Sequence, residues 1–246
     1  MGRLDGDIAI VTGAGRGIGR AIAETLAAEG ATVVATDLDE ATAKDTAAAV
    51  GGLGIAADVS DRASVDAMVA RVRSEHGRID VLVNNAGYDV VGPFVSSDPA
   101  TWDRIVGINL YGVLNTCHAV LPGMAEQGRG SVVNLASDAG RVGSSGEAVY
   151  SAAKGGVIAF TKTIAREMAR YSVRANCVCP GPTDTALFAS VVEGNDKLRD
   201  ALVKAIPMRR LGQPTDLAPL VAFLASDDAG FITGQTVSVS GGLSMS

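Results

Sequence analysis

A chain of 246 residues that is 47% hydrophobic and 20% charged is long and apolar enough to bury a core, which excludes a disordered chain. Its net charge of −6 leaves no basic surplus for a phosphate backbone, so no nucleic-acid partner is expected. Met1 to Gly6 has no long apolar stretch and reads as no secretory signal, so a cytoplasmic location is expected.

In chain order, apolar runs with strand character fall at Ile8–Val11, Thr32–Thr36, Gly54–Ala57, Val81–Val83, Ser131–Leu135, Arg174–Cys179 and Thr236–Val239. Alanine-rich stretches with helical spacing, such as Gly19–Glu29 and Val65–Glu75, lie between them. Such alternation predicts an α/β fold, a single doubly wound Rossmann-type domain over residues 1–246 with parallel strands and helices on both faces. Ile105 to Ala125 lacks Asp, Glu, Lys and Arg, but Asn109, Asn115, His118 and Pro122 would be costly in lipid. The expectation there is a helix buried in the protein or at a subunit contact, with no membrane partner. Residues 183–210 are the least regular part and follow a strand; they are either a lid-like substrate segment or a pair of surface helices. Cys117, Cys177 and Cys179 read as reduced packing thiols, and with only His76 and His118 as histidines no metal site is expected.

The first strand runs into Thr12-Gly13-Ala14-Gly15-Arg16-Gly17-Ile18-Gly19 and then a helix. Phosphate can approach backbone amides at a helix N-terminus only where side chains do not block it, which is what Gly13, Gly17 and Gly19 allow, with Arg16 and Ile18 between them. The second strand ends at Asp37, 24 residues after Gly13, followed by Leu38. That context points to a dinucleotide site. A carboxylate at Asp37 can accept both adenosine ribose hydroxyls and repel a 2′-phosphate, which favours NAD; Arg16 pulls toward NADP. Asp58-Val59 closes the third strand-like run and Asn84-Asn85-Ala86-Gly87 the fourth, along one ligand crevice.

Tyr150 and Lys154 are four apart, so on a helix they share a face. A free tyrosine has a pKa near ~10, and a lysine ammonium beside it would lower that value. Ser137 ends the fifth run, 13 residues before Tyr150, where a hydroxyl can hold a substrate oxygen. Asn109 lies in an apolar helix-like segment and is either a satisfied core amide or a water holder behind the lysine. No Gly-x-Ser-x-Gly elbow is present for a serine hydrolase. A non-catalytic dinucleotide-binding regulator is the remote alternative.

Thr12–Gly19, Asp58, Asn84–Gly87, Asn109, Ser137, Tyr150, Lys154 and Pro180-Gly181, in this order and spacing, resemble the short-chain dehydrogenase/reductase family over essentially the whole chain. The resemblance implies a seven-stranded parallel sheet of order 3-2-1-4-5-6-7, a homotetramer, and hydride transfer between a nicotinamide cofactor and a secondary alcohol or ketone. It implies a catalytic set Asn109, Ser137, Tyr150 and Lys154. Cofactor contacts would come from Gly13, Arg16, Gly17, Ile18, Gly19, Asp37, Leu38, Asp58, Val59, Asn85, Ala86, Gly87, Tyr150, Lys154, Pro180, Gly181, Thr183 and Thr185. Ala136–Tyr150, Pro180–Leu187 and Ser226–Gln235 resemble a branch of the family that oxidises a ring alcohol β to a CoA thioester with NAD. On that likeness Ser137, Arg141, Ser144, Glu147, Tyr150 and Phe188 line the substrate side, and Gly140, Gly143 and Gly146 leave room for a ring. Lys197, Arg199, Lys204, Arg209 and Arg210 are either CoA phosphate contacts or solvated helix charges. A 3-oxoacyl thioester reductase of fatty-acid synthesis and a general alcohol/carbonyl oxidoreductase remain as alternatives.

Overall fold

The computed structural model describes residues 2–191 and 196–245. The chain runs β1 (Ile8–Thr12), α1 (Gly17–Ala28), β2 (Thr32–Asp37), α2 (Glu40–Val50), β3 (Leu53–Ala56), α3 (Arg62–His76), β4 (Val81–Asn84) and α4 (Pro99–Val106). A π-helical turn, Gly107–Tyr111, joins α4 to α5 (Gly112–Gln127). Then come β5 (Gly130–Leu135), α6 (Ala139–Val142), α7 (Ala148–Met168), β6 (Val173–Pro180), α8 (Ala186–Val191), α9 (Asp196–Ala205), α10 (Pro214–Ala225) and β7 (Thr236–Val239). All seven strands form one parallel sheet in the order 3-2-1-4-5-6-7, as expected.

Alternation within each strand divides the core between the two faces. Ala9, Val11, Val33, Val81, Val83 and Val133 point to the face covered by α1 and α10, where they meet Ile22, Leu26, Leu217 and Val221. Ile10, Val34, Leu82 and Val132 point the other way, onto Val65 and Val69 of α3, Val113 and Val120 of α5, and Val157 and Ile164 of α7. Each fully buried Leu or Ile contributes ~1.5–3 kcal/mol through burial, so both faces matter to stability. The strand-like runs were visible because a strand covered on both faces is apolar at every position. Observed bounds differ from the expected ones by up to three residues; α1 starts at Gly17, after an extended Arg16, and α3 at Arg62, after the Asp61 cap.

Asp39, Asp61 and Asp98 cap α2, α3 and α4 by accepting backbone N–H groups of the first turn. At α1 the N-cap residue is Arg16 and no side chain caps the helix. The run Pro99–Gln127 is long and apolar enough to cross a membrane by length and composition, and close to half of its apolar stretch is buried inside the protein. Its buried flank, Val113, Cys117, Val120 and Met124, belongs to the core beneath the sheet, with Pro122 inside the helix. Residues 183–210 hold two helices, α8 and α9, with Lys197, Arg199, Lys204 and Leu187 exposed; residues 192–195 lie outside the described residues.

Candidate active site

The C-terminal ends of β1, β2, β4, β5 and β6 open onto one edge of the sheet, where the order reverses between β1 and β4. Here Thr12 ties two loops together: its Oγ1 accepts the N–H groups of Asn85 (3.0 Å) and Ala86 (3.1 Å). Asn85 answers with Nδ2, which donates to the carbonyls of Thr12 and Gly13, both at 3.0 Å. Gly13 adopts φ +62°, and a Cβ there would lie 2.8 Å from the Ala86 Cα. A Cβ on Gly19 would run into the Gly13 carbonyl. Gly17, at φ +56°, instead has only the Thr185 side chain within reach, at 3.5 Å, so Thr185 stands over the start of α1. Bare amides at an uncapped helix start, fronted by glycine and a threonine, fit a pyrophosphate.

Asp37 lies against this loop. Its Oδ2 accepts from Gly15 N at 2.9 Å and its Oδ1 from Asp39 N at 3.2 Å, so the carboxylate is oriented by two amides and keeps further acceptor capacity. Arg16 is exposed and has no ion-pair partner among the described residues. Leu38 is 68% exposed, Ile18 is partly buried, and Val59 is buried against Gly112. Asp58 Oδ1 accepts from the N–H (2.8 Å) and hydroxyl (2.6 Å) of Ser60, which leaves its other oxygen free of those bonds. On β6 and beyond, Gly181 packs so close to Ser240 that a Cβ would lie 2.7 Å away, and the buried Thr183 donates to the Gly181 carbonyl.

Tyr150 sits in the first turn of α7, partly buried, with the Ser137 hydroxyl beside its phenol. Lys154, one turn on, is 3% exposed; its Nζ lies 5.6 Å from the Tyr150 ring centre and donates to the Leu135 carbonyl at 2.8 Å. The expectation that lysine lowers the tyrosine pKa needs correction for the polypeptide itself. Burial pushes the Tyr150 phenol up, the Glu147 carboxylate adds to this, and Ser137 only partly opposes them. Burial also pulls Lys154 down to about 8. The ammonium donates to a backbone carbonyl and stands over the face of the ring, not at the phenol oxygen.

Asn109 sits in the π-helical turn, a feature often found at functional sites. Its Nδ2 donates to the Tyr88 (2.5 Å) and Ile105 (2.9 Å) carbonyls, so both amide hydrogens are used. Its Oδ1 accepts from Tyr88 N at 3.4 Å and still faces Gly87. A Cβ on Gly87 would lie 3.2 Å from that oxygen and 3.9 Å from Lys154 Nζ. Beneath the site runs a buried chain: Thr116 Oγ1 donates to Asn84 Oδ1, Asn84 Nδ2 to Asn134 Oδ1, and Asn134 Nδ2 to Thr161 Oγ1. Sequence reasoning missed Thr116, Asn134 and Thr161; the only available signal was a lone Asn inside the apolar run Ser131–Leu135.

Several substrate-side expectations are corrected. Gly140 gives no room for a ring: a Cβ there would meet the Lys154 carbonyl carbon at 2.6 Å, so this glycine lets α6 pack on α7. Gly146, at φ +84°, also gives no room, since a Cβ there would lie 3.0 Å from the Val91 side chain; Gly143, at φ +78°, does face open space, with nothing within 4 Å of its Cβ position. Arg141 does not form a rim, because its guanidinium pairs with Asp138 at 3.4 Å with 12% exposure. Ser144 is exposed, while Glu147 and Phe188 are partly buried. Arg210 pairs with Asp216 at 2.5 Å, whereas Arg209 is exposed, donates one N–H to the Lys204 carbonyl and has no carboxylate partner among the described residues.

Comparison with known proteins agrees with this architecture. A family described as enoyl-(acyl carrier protein) reductase matches residues 13–244. The chain is 41% identical over 244 residues to a 3-oxoacyl-[acyl-carrier-protein] reductase of Vibrio cholerae, covering 98% of this chain and 99% of that one. It is 40% identical over 257 residues to a human (3R)-3-hydroxyacyl-CoA dehydrogenase, covering 99% and 97%. A solved structure of a short-chain alcohol dehydrogenase from Sinorhizobium meliloti, itself described as putative, superposes with a TM-score of 0.92 at 35% identity, covering 98% and 97%. The chain belongs to the short-chain dehydrogenase/reductase family. It is an oxidoreductase acting on hydroxyl and keto groups, of a family that uses a nicotinamide cofactor.

Proposed function

We propose that the enzyme transfers a hydride between NAD and a β-hydroxyacyl or β-ketoacyl thioester, with a ring-bearing CoA substrate of the 2-hydroxycyclohexanecarboxyl-CoA dehydrogenase kind as the finer reading. The observation that carries the reaction is the grouping of the Ser137 hydroxyl, the Tyr150 phenol and the buried Lys154 ammonium at one strand end. Tyr150 moves the proton at the substrate oxygen and Ser137 holds that oxygen. Lys154 takes the nicotinamide ribose, and Asn109 backs Lys154 across Gly87. The nicotinamide supplies or receives the hydride when bound, and its positive oxidised ring favours the phenolate that burial opposes. Gly13, Gly17, Gly19 and Thr185 hold the pyrophosphate, Asp58 and Val59 the adenine, and Pro180, Gly181 and Thr183 the carboxamide.

For NAD, the support is Asp37, oriented by Gly15 N and Asp39 N where the adenosine ribose would lie. For the CoA thioester, the support is the human hydroxyacyl-CoA relative and the likeness of residues 136–150, with Lys197, Arg199 and Lys204 exposed on α9 as phosphate contacts. A second reading, reduction of a 3-oxoacyl group on acyl carrier protein, is favoured by the Vibrio and Escherichia coli relatives at 40–41% identity. The half-exposed flank of the Pro99–Gln127 run supports a subunit contact of a homotetramer. Initial rates with NAD and NADP against ring and linear hydroxyacyl-CoA thioesters, acyl carrier protein thioesters, the free hydroxy acids and simple secondary alcohols separate these readings. Equal kcat/KM for a thioester and a plain alcohol would overturn the thioester assignment.

A further inference from the structure

Glu147 and Asp89 lie on two different loops that meet beside Tyr150. The loop after β4 and the turn before α7 are joined by the Gly92 N–H, which donates to the Gly146 carbonyl at 2.9 Å. Across that joint the Gly146 Cβ position would lie 3.0 Å from the Val91 side chain, so the two segments are in van der Waals contact. Glu147 is the N-cap residue of α7, yet its carboxylate caps no backbone N–H. It is three residues before Tyr150 and seven before Lys154, which puts Glu147, Tyr150 and Lys154 on one helical stripe.

Asp89 Oδ1 accepts from Val90 N at 2.8 Å, but its Oδ2 is buried and finds no donor. Among the described residues neither carboxylate has a basic side chain within ion-pair distance. The group that acts on Asp89 across this joint is the Glu147 carboxylate. Two ionised carboxylates cannot bond to each other, but a proton held by one of them gives the orphaned oxygen a partner. Burial first, and then Glu147, push Asp89 up to about 7. The charge on Glu147, and behind it that on Asp89, raises the Tyr150 pKa in turn. Other groups facing this corner are Lys154 of α7, which acts on Asp89, and Cys179 of β6, which acts on Tyr150. The Asp138–Arg141 pair lies behind Cys179, and Arg104 of α4 stacks on the Tyr88 ring next to Asp89.

We propose that Asp89 and Glu147 are positioning residues that share one proton, and that this carboxylic acid–carboxylate pair sets the charge on the substrate side of Tyr150. The pair carries one negative charge when it holds the proton and two when it has released it to solvent. With two charges the phenolate is disfavoured further and a substrate with a carboxylate at its reacting end is repelled; one whose reacting end is an uncharged thioester is not.

The test is carboxyl-carbon NMR of aspartate- and glutamate-labelled protein across pH, with wild type, Asp89→Asn, Glu147→Gln and the double variant. In wild type one carboxyl should titrate near neutrality. In Glu147→Gln the Asp89 carboxyl should titrate lower than in wild type, because its amide neighbour now donates, while burial still holds it above the ordinary range. This arm needs no substrate, so its result stands apart from the assignment of Tyr150 in the proposed reaction, on which only the kinetic arm rests. In that arm the double variant should shift the pH midpoint of kcat/KM for oxidation toward acid by roughly 0.5–1.5 units against either single variant, the size of one nearby charge. Wild-type carboxyls that both titrate in the ordinary range, or a partner unmoved by the substitution, would overturn the pair. An unmoved kinetic midpoint would overturn its influence on Tyr150.

Discussion

Lys154 donates to the carbonyl of Leu135, joining α7 to the end of β5 through a buried ammonium. That bond fixes where the charge stands, and burial weakens it: the lysine pKa falls from 10.5 to about 8. The folded value lies below the unfolded one, so between about pH 8 and 10.5 the unfolded chain holds more protons at this residue. The contribution of Lys154 to stability therefore rises with pH across that window. Wild type measured against Lys154→Met by urea denaturation should gain in relative stability from pH 7 to pH 10, by up to about 3 kcal/mol. A gap that is flat or narrows with pH would refute the buried-ammonium account.

Tyr150→Phe removes the hydroxyl beside Ser137 and leaves the ring in place. Turnover should fall by ~10²–10⁴, as for loss of a positioned acid/base, while cofactor binding followed by fluorescence titration stays near wild type. Near-normal turnover would assign proton transfer to another group.

Asp37→Ala removes the carboxylate that both Gly15 N and Asp39 N orient. The ratio of kcat/KM for NAD over NADP should drop, through weaker NAD binding and loss of repulsion toward a 2′-phosphate. A wild-type enzyme equally efficient with both cofactors would remove the basis of the proposal.

Gly140→Ala places a methyl 2.6 Å from the Lys154 backbone and 2.7 Å from Gly155 N, so α6 and α7 must part. Overpacking of this kind typically costs ~1–3 kcal/mol. Chemical denaturation should show that loss, and kcat should fall with it because the displaced segment carries Tyr150 and Lys154. A variant of unchanged stability and turnover would mean that the interface yields easily.

Cys117, Cys177 and Cys179 are buried, and burial pushes their thiols up to about 12, 11 and 12. Since the thiolate is the reactive form, a chromogenic disulfide reagent at neutral pH should leave the native protein unlabelled and react with all three in denaturant. Rapid native labelling would contradict the packing role.

The centre of the sheet was legible because β1 and β4 are covered on both faces, so Ile8–Val11 and Val81–Val83 read as unbroken apolar runs, while the edge strands β3 and β7 are only partly buried. The glycine loop and Asp37 were legible because their spacing follows from backbone sterics and strand length. What stayed hidden was pairing between distant segments. Asn84, Thr116, Asn134 and Thr161 meet across up to 50 residues of sequence, and nothing in a single polar residue names its partner. The direction of the Tyr150 shift was misread for the same reason: a four-residue spacing reveals the lysine neighbour, whereas burial and the carboxylate at Glu147 come from packing. Gly140 looked like open space because a missing side chain reads alike whether the void is empty or filled by a helix.

The chain Thr116–Asn84–Asn134–Thr161 bolts β4, β5, α5 and α7 together below the reacting groups, out of reach of any substrate. The described side chains of α8 and α9 are exposed or half-buried and share none of those bonds. A change on those outer helices therefore leaves this buried scaffold untouched, whereas a change at Asn84 or Asn134 loosens two strands and two helices at once.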